Sequence, residues 1–223
     1  MAKSPDAYAH GTSQVFVKGG DPASGGKTKR GRSACLNLEA GWVREARRCL
    51  SPNRNERPAN EPVSLLVIHN ISLPPGRFSG NFIDDLFLNR LDYSAHPYFA
   101  TLRGLAVSSH FLIRRRGELV QYVATSERAW HAGKSAFSGR ENCNDFSIGI
   151  ELEGTDERPY TQPQYRRLVM LSVLLLRAFP DITPARIVGH SDIAPGRKSD
   201  PGPAFDWPRY RQALTEALAS KYP

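Results

Sequence analysis

The sequence predicts an α/β fold: a single domain in which a mixed central β-sheet is flanked by helices. Two observations lead there. Residues 64–70 (SLLVIHN) form a short continuous apolar run, the pattern of a strand buried on both faces, and other short strand-like runs recur at 108–115, 118–123, 147–152 and 187–189. These runs are interleaved with helical patterns, so helices must cover the faces of the sheet. A chain of 223 residues, 40% hydrophobic and without internal repeats, has material for one good-sized core.

The elements follow in chain order. Residues 1–37, rich in Gly, Ser and Lys (GGDPASGGKTKRGRS), lack the large apolar side chains that offset the entropy of ordering, and read as a disordered basic extension. The composition changes at Leu38, where Trp42, Val43 and Leu50 open a folded domain spanning 38–223. The first buried strand ends abruptly in His69 and Asn70. Phe82 to Leu91 reads as a short helix, with Phe82, Leu86 and Arg90 four apart. Ser108 to Arg115 and Glu118 to Val123, parted by Arg116-Gly117, read as a hairpin, and Ser147 to Leu152 (SIGIEL) as another strand. Thr161-Gln162-Pro163-Gln164 has the form of a capping box and starts a helix that runs to Phe179, with Leu168, Leu171, Leu175 and Phe179 at helical spacing. Ile187-Val188-Gly189 is a last short strand into His190. A Pro/Gly loop then runs to Pro203, and Trp207 to Leu218 is an amphipathic terminal helix.

Several function classes are excluded. The most apolar run, Val169 to Leu176, falls far short of the ~18 residues that cross a bilayer, and residues 1–20 hold no apolar stretch of the ~7–15 residues an export signal needs. Three scattered cysteines, Cys35, Cys49 and Cys143, fit neither a disulfide framework nor a thiolate zinc knot, and point to the reducing cytoplasm. The net charge of +8 is divided evenly, with +4 in residues 1–37, and no helix carries a basic face, so nucleic acid is not expected as the ligand. Neither a G-x-G-x-x-G nor a P-loop occurs.

Of six histidines, only His69 and His190 stand at the exits of apolar strands, where a rigid element can aim both into one cleft. The segment GHSDIAPGRKSDPG, residues 189–202, adds Asp192, Lys198 and Asp200. Two neutral imidazoles and a carboxylate make a three-ligand set suited to a catalytic Zn²⁺ with a fourth position for water. Spacing alone leaves both aspartates open; Asp200 is preferred because a loop can return it to His190. Glu151 and Glu153 alternate along SIGIELEG and are expected to point to opposite faces of the sheet or its edge. Glu151, following Ile148 and Ile150 into the sheet's end, is the candidate general base, its pKa raised by partial burial.

The stretches VIHNISLPPG, RAWHAG, CNDFSIGIELEGTD and GHSDIAPGRKSDPGPAFDW closely resemble the AmpD-type cytoplasmic N-acetylmuramoyl-L-alanine amidases, a zinc amidase family that also includes peptidoglycan recognition proteins. The resemblance runs from about Leu38 to about Leu214. It implies a zinc hydrolase cleaving the bond between N-acetylmuramic acid, in its 1,6-anhydro form, and the L-alanine of the stem peptide, during cytoplasmic peptidoglycan recycling. By it His69, His190 and Asp200 match the ligands of one Zn²⁺, Glu151 the proton acceptor and Lys198 the transition-state stabiliser. The implied partner is a small muropeptide, not nucleic acid or membrane; no oligomeric state follows. His131 in WHAG matches no ligand and reads as a cleft-wall or supporting residue, Trp130 as a sugar- or peptide-contacting aromatic, and His96 and His110 as structural. Ala106 stands where resembling members carry arginine, with Arg103 the candidate replacement. The alternative is a non-catalytic peptidoglycan-fragment binding protein of the same fold, disfavoured because all five functional positions are intact.

Overall fold

A computed structural model describes residues 36–220, so the expected extension lies outside the described residues apart from Leu36 and Asn37. The apolar runs become the middle of a six-stranded sheet. Its strands are β1 (Arg47–Arg48), β2 (Leu65–Ile71), β3 (Phe111–Ile113), β4 (Leu119–Gln121), β5 (Ser147–Glu153) and β6 (Ile187–Gly189). In space they run β6-β2-β5-β3-β4-β1. All pairs are parallel except the β3/β4 hairpin, so the sheet is mixed as expected. β5 is buried at all seven positions, although its sequence SIGIELE alternates apolar residues with small or charged ones.

One face of the sheet carries Leu66, Ile68, Phe111, Ile113, Ile148, Ile150 and Leu152 into the largest apolar cluster. Two helices supply the other half of this cluster, α2 (Gln162–Ala178) with Leu168, Leu171 and Leu175, and α3 (Trp207–Ala219) with Tyr210 and Leu214. Leu36, two residues before the expected domain boundary, is buried in it too. The capping box forms: the Gln164 N–H donates to Thr161 Oγ1 at 3.3 Å, and the Thr161 N–H to Gln164 Oε1 at 3.0 Å. The Gln164 amide also donates to the carbonyls of Ile113 (3.2 Å) and Glu153 (3.0 Å), tying the helix start to the ends of β3 and β5.

The opposite face is divided. Leu112, Val120 and Tyr122 pack with Ile83, Leu86 and Phe87 of α1 (Phe82–Phe87). Leu65 and Val67 pack with Ala132, Cys143, Phe146, Val188 and Ile193. α1 is shorter than its apolar spacing predicts because Asn89 turns left-handed at φ 57° and ends the helical path before Leu91. Between these two clusters, over β2 and β5, the sheet presents its histidines.

Candidate metal centre and catalytic site

The site is laid out by strand register. In the parallel pair of β2 and β5, His69 stands opposite Glu151, so both side chains leave the same face of the sheet. On the other flank of β2, Gly189 of β6 pairs with Ile68, and His190 begins the helical turn His190–Ile193 immediately after the strand. Asp200 comes back over ten residues of loop. The Ser191 N–H donates to the Asp200 carbonyl at 3.0 Å, and Gly189 permits the closure, since a Cβ there would meet Pro201 Cδ at 2.8 Å.

As a result His69 Nδ1 lies 3.0 Å from His190 Nδ1, and both lie 3.1 Å from Asp200 Oδ2. Among the described residues this is the one group of three metal-ligating side chains that converges, its ligand atoms all within 4.8 Å of one another. Asp192, the rival carboxylate, is instead occupied by the Gly189 N–H at 2.7 Å. Burial, partly opposed by Asp200, brings the His69 pKa down to about 4, so its imidazole is neutral at neutral pH. His190 Nε2 sits 3.1 Å from the Ala132 carbonyl, which only accepts, so in the neutral imidazole Nε2 carries the proton and Nδ1 is left to ligate. Two imidazole nitrogens and a carboxylate oxygen thus converge on one point, a donor set open to a cation. Two nitrogens and one oxygen suit Zn²⁺.

Glu151 is buried, and its Oε2 has no hydrogen-bond partner among the described residues. Burial first, then the charge of Asp200, pushes its pKa well above the usual carboxylate range, against the pull of Lys198. Lys198 is exposed on the returning loop and acts on His69 and Glu151 through its charge. Glu153 departs from expectation. Residues two apart on a strand share a face, and Ile150 and Leu152 enter the large cluster, so Glu151 and Glu153 lie together on the other side. They differ in their partners. Glu153 is buried but saturated, accepting from the N–H groups of Ser79 (2.9 Å) and Arg115 (3.0 Å) and pairing with Arg114 at 3.4 Å. A cavity of about 990 Å³ beside Glu153, lined also by Phe78, Arg114 and Arg115, does not reach the His/His/Asp group.

The other histidines have distinct surroundings. His131 is buried, its Nδ1 2.9 Å from His69 Nε2. His110 accepts the Gly149 N–H at 3.1 Å, and burial lowers its pKa to about 3. His96 caps the short helix Pro97–Ala100, accepting the Tyr98 N–H at 3.2 Å. Trp130 is partly exposed, with its indole N–H donated to Asn55 at 2.6 Å. Ala106 is exposed, and Arg103 lies over the Tyr93 ring at 5.0 Å.

Sequence reasoning missed the residues that hold this centre from behind. Asn144 Oδ1 accepts the N–H groups of His131 (3.0 Å) and Ala132 (2.8 Å). Arg57 donates to the carbonyls of Asn144 (3.1 Å), Asp145 (2.9 Å) and Ser147 (2.9 Å). Arg197 donates to the carbonyls of Ala132 and Lys134, both at 2.6 Å. A polar run, CND, directly ahead of a fully buried strand was the available signal.

Comparison with known proteins places the chain in a family. The profile of the N-acetylmuramoyl-L-alanine amidase family matches residues 59–203. The 1,6-anhydro-N-acetylmuramyl-L-alanine amidase AmpD of Escherichia coli is 58% identical over 179 residues, 80% of this chain and 97% of its own, and that of Haemophilus influenzae is 52% identical over 178 residues, 80% and 97%. The crystal structure of an AmpD selenomethionine derivative superposes with a TM-score of 0.78 at 56% identity, covering 80% of this chain and 99% of that one. AmpDh3 from Pseudomonas aeruginosa, solved with anhydromuramic pentapeptide, superposes at 0.51 with 32% identity over 74% of this chain and 65% of its own. The chain belongs to the N-acetylmuramoyl-L-alanine amidase family, among its AmpD-type members.

Proposed function

We propose that this chain is a zinc-dependent amidase that hydrolyses the amide between 1,6-anhydro-N-acetylmuramic acid and the L-alanine of its stem peptide, recycling soluble peptidoglycan fragments in the cytoplasm. The observation that carries the reading is the convergence of His69, His190 and Asp200 beside a buried, unpartnered Glu151 carboxylate. The 1,6-anhydro-N-acetylmuramyl-L-alanine bond for which the AmpD relatives are named, and the anhydromuramic pentapeptide held by AmpDh3, support the choice of substrate.

His69 and His190 through Nδ1, with the Asp200 carboxylate, would hold the metal. When bound, zinc supplies a Lewis acid and lowers the pKa of its water to near 7. Glu151 Oε2, with no competing donor, takes the proton from the attacking water and returns it to the leaving alanine nitrogen. Lys198, the cation whose charge already reaches Glu151 and His69, steadies the oxyanion that develops on the former carbonyl.

The test compares a purified anhydro-muropeptide with its reduced, non-anhydro counterpart bearing the same stem peptide, while bound zinc is counted. One zinc per chain, release of an L-alanine-initiated peptide and a higher kcat/KM for the anhydro sugar are expected. Binding without turnover would favour the non-catalytic alternative. Equal rates on both sugars would remove the recycling assignment.

A further inference from the structure

We propose that His131 and Ser147 are positioning residues that confine the proton of His69 to Nε2, so that its Nδ1 lone pair is permanently presented to the metal. The inference rests on the zinc reading above and concerns side chains two and three positions removed from the ion.

The argument starts at a carbonyl and moves inward. The Cys143 oxygen can only accept, and Ser147 Oγ lies 2.5 Å from it, so the single hydroxyl proton of Ser147 is committed there. His131 Nε2 lies 3.1 Å from the same Oγ. With the serine proton spent, that contact is a hydrogen bond only if His131 donates from Nε2. The neutral imidazole then bears its lone pair on Nδ1. His69 Nε2, 2.9 Å from that lone pair, must donate in turn. His69 Nδ1 is left without a proton, facing His190 Nδ1 and Asp200 Oδ2. Every step is a choice between two tautomers, and the peptide carbonyl at the far end decides them all.

The packing around His131 serves this one orientation. Its ring lies directly on β5 where a side chain at position 149 would stand: a Cβ on Gly149 would come within 2.6 Å of His131 Cγ and Nδ1. Asn144 holds its backbone N–H at 3.0 Å. The three elements that fix it, CND, the start of β5 and Gly149, lie within the same seven residues of sequence. The planes of the His69 and His131 rings stand at 86°, centroids 5.0 Å apart, with the Nε2 to Nδ1 contact between them. Histidine ligands are commonly held by an acceptor on the second nitrogen, and loss of such a partner weakens metal binding by about 10–100-fold.

The experiment uses the zinc-loaded, full-length chain. Imidazole NMR with nitrogen-labelled histidine should find both His69 and His131 protonated at Nε2, with the His131 Nδ1 unprotonated. Chelator competition should then show zinc affinity falling by about 10–100-fold for His131→Leu and for Ser147→Ala. His131→Asn, whose side-chain oxygen stands near the lost Nδ1 and can accept from His69, should stay within a few-fold of wild type. A His131 proton found on Nδ1 in the wild-type enzyme overturns the proposal even if the variants fail to fold. So does wild-type zinc affinity in folded His131→Leu and Ser147→Ala. A wild-type chain that takes up no zinc would remove the metal reading together with this one, whereas normal uptake with unchanged variant affinities removes the relay alone.

Discussion

Replacing Asn144 by alanine should injure stability and metal binding together, although Asn144 touches no metal ligand. Its Oδ1 is the acceptor for two backbone N–H groups, His131 at 3.0 Å and Ala132 at 2.8 Å, in a region where Asn144, His131 and Ala132 are all buried. Alanine would leave two buried donors unsatisfied, at about 1–3 kcal/mol each, so about 2–6 kcal/mol in total. At about 2–4 °C per kcal/mol for a chain of this size, the melting temperature falls by about 4–24 °C. The same loop carries the Ala132 carbonyl 3.1 Å from His190 Nε2 and the His131 ring 2.9 Å from His69 Nε2, so His69 and His190 each lose a fixed partner. Thermal unfolding with and without zinc, read beside chelator competition, measures both effects. Asn144→Asp, which keeps an acceptor oxygen in place, should lose less of each. A melting temperature for Asn144→Ala within 2 °C of wild type at unchanged zinc affinity would refute the reasoning.

Glu151→Gln should lower kcat by about 10²–10⁴ with zinc retained. It should also flatten the pH dependence of metal-free stability: with its folded pKa raised, Glu151 withdraws stability as pH climbs above the ordinary carboxylate value of 4.5, which pH-dependent melting curves will register. Glu153→Gln should spare kcat and instead cost about 1–3 kcal/mol, since one of the two backbone donors at 2.9 and 3.0 Å loses its oxygen. Equal kinetic effects of the two changes would show that the base is misassigned. Chelation should abolish turnover and leave the far-ultraviolet circular dichroism intact, with activity restored by Zn²⁺, because the sheet and helix core exists independently of the ion. Thr161→Ala, which removes one half of the capping box, should lower stability by about 1 kcal/mol by thermal melting and leave kcat/KM unchanged.

The parts of this protein legible in its sequence are those governed by local pattern. The strand at 65–71 showed itself as a continuous apolar run, SIGIEL at 147–152 read as another strand, and the helix at 162–178 announced its own first turn through Thr161 and Gln164. The His/His/Asp convergence was legible because two of its members follow apolar strands directly. Asp200 was preferred over Asp192 on the ground that a loop could return it, and the Ser191 to Asp200 bond is that return. What stayed hidden depends on tertiary contact. Nothing in the spacing of Asn144, Ser147 and Gly149 shows that all three close around one imidazole from a different segment. The faces of Glu151 and Glu153 were misjudged although strand periodicity alone decides them. Their different partners, Arg114 and two backbone amides for one and none for the Oε2 of the other, come from elements distant in sequence.

The pairing of His69 with Glu151 across neighbouring parallel strands separates what in this enzyme can change from what cannot. Adjacent strands are held about 4.8 Å apart by the peptide ladder itself. The spacing between His69 and Glu151 is therefore written into backbone geometry, and no side-chain choice elsewhere can stretch it. Asp200 has no such guarantee; it is delivered by a loop. So are the residues from 72 to 110 that lead from β2 toward β3. Exchange of the 72–110 connection between relatives should leave this spacing untouched, whereas exchange of the loop that carries Lys198 and Asp200 should not, which makes the former, and not the sheet, the place to engineer specificity.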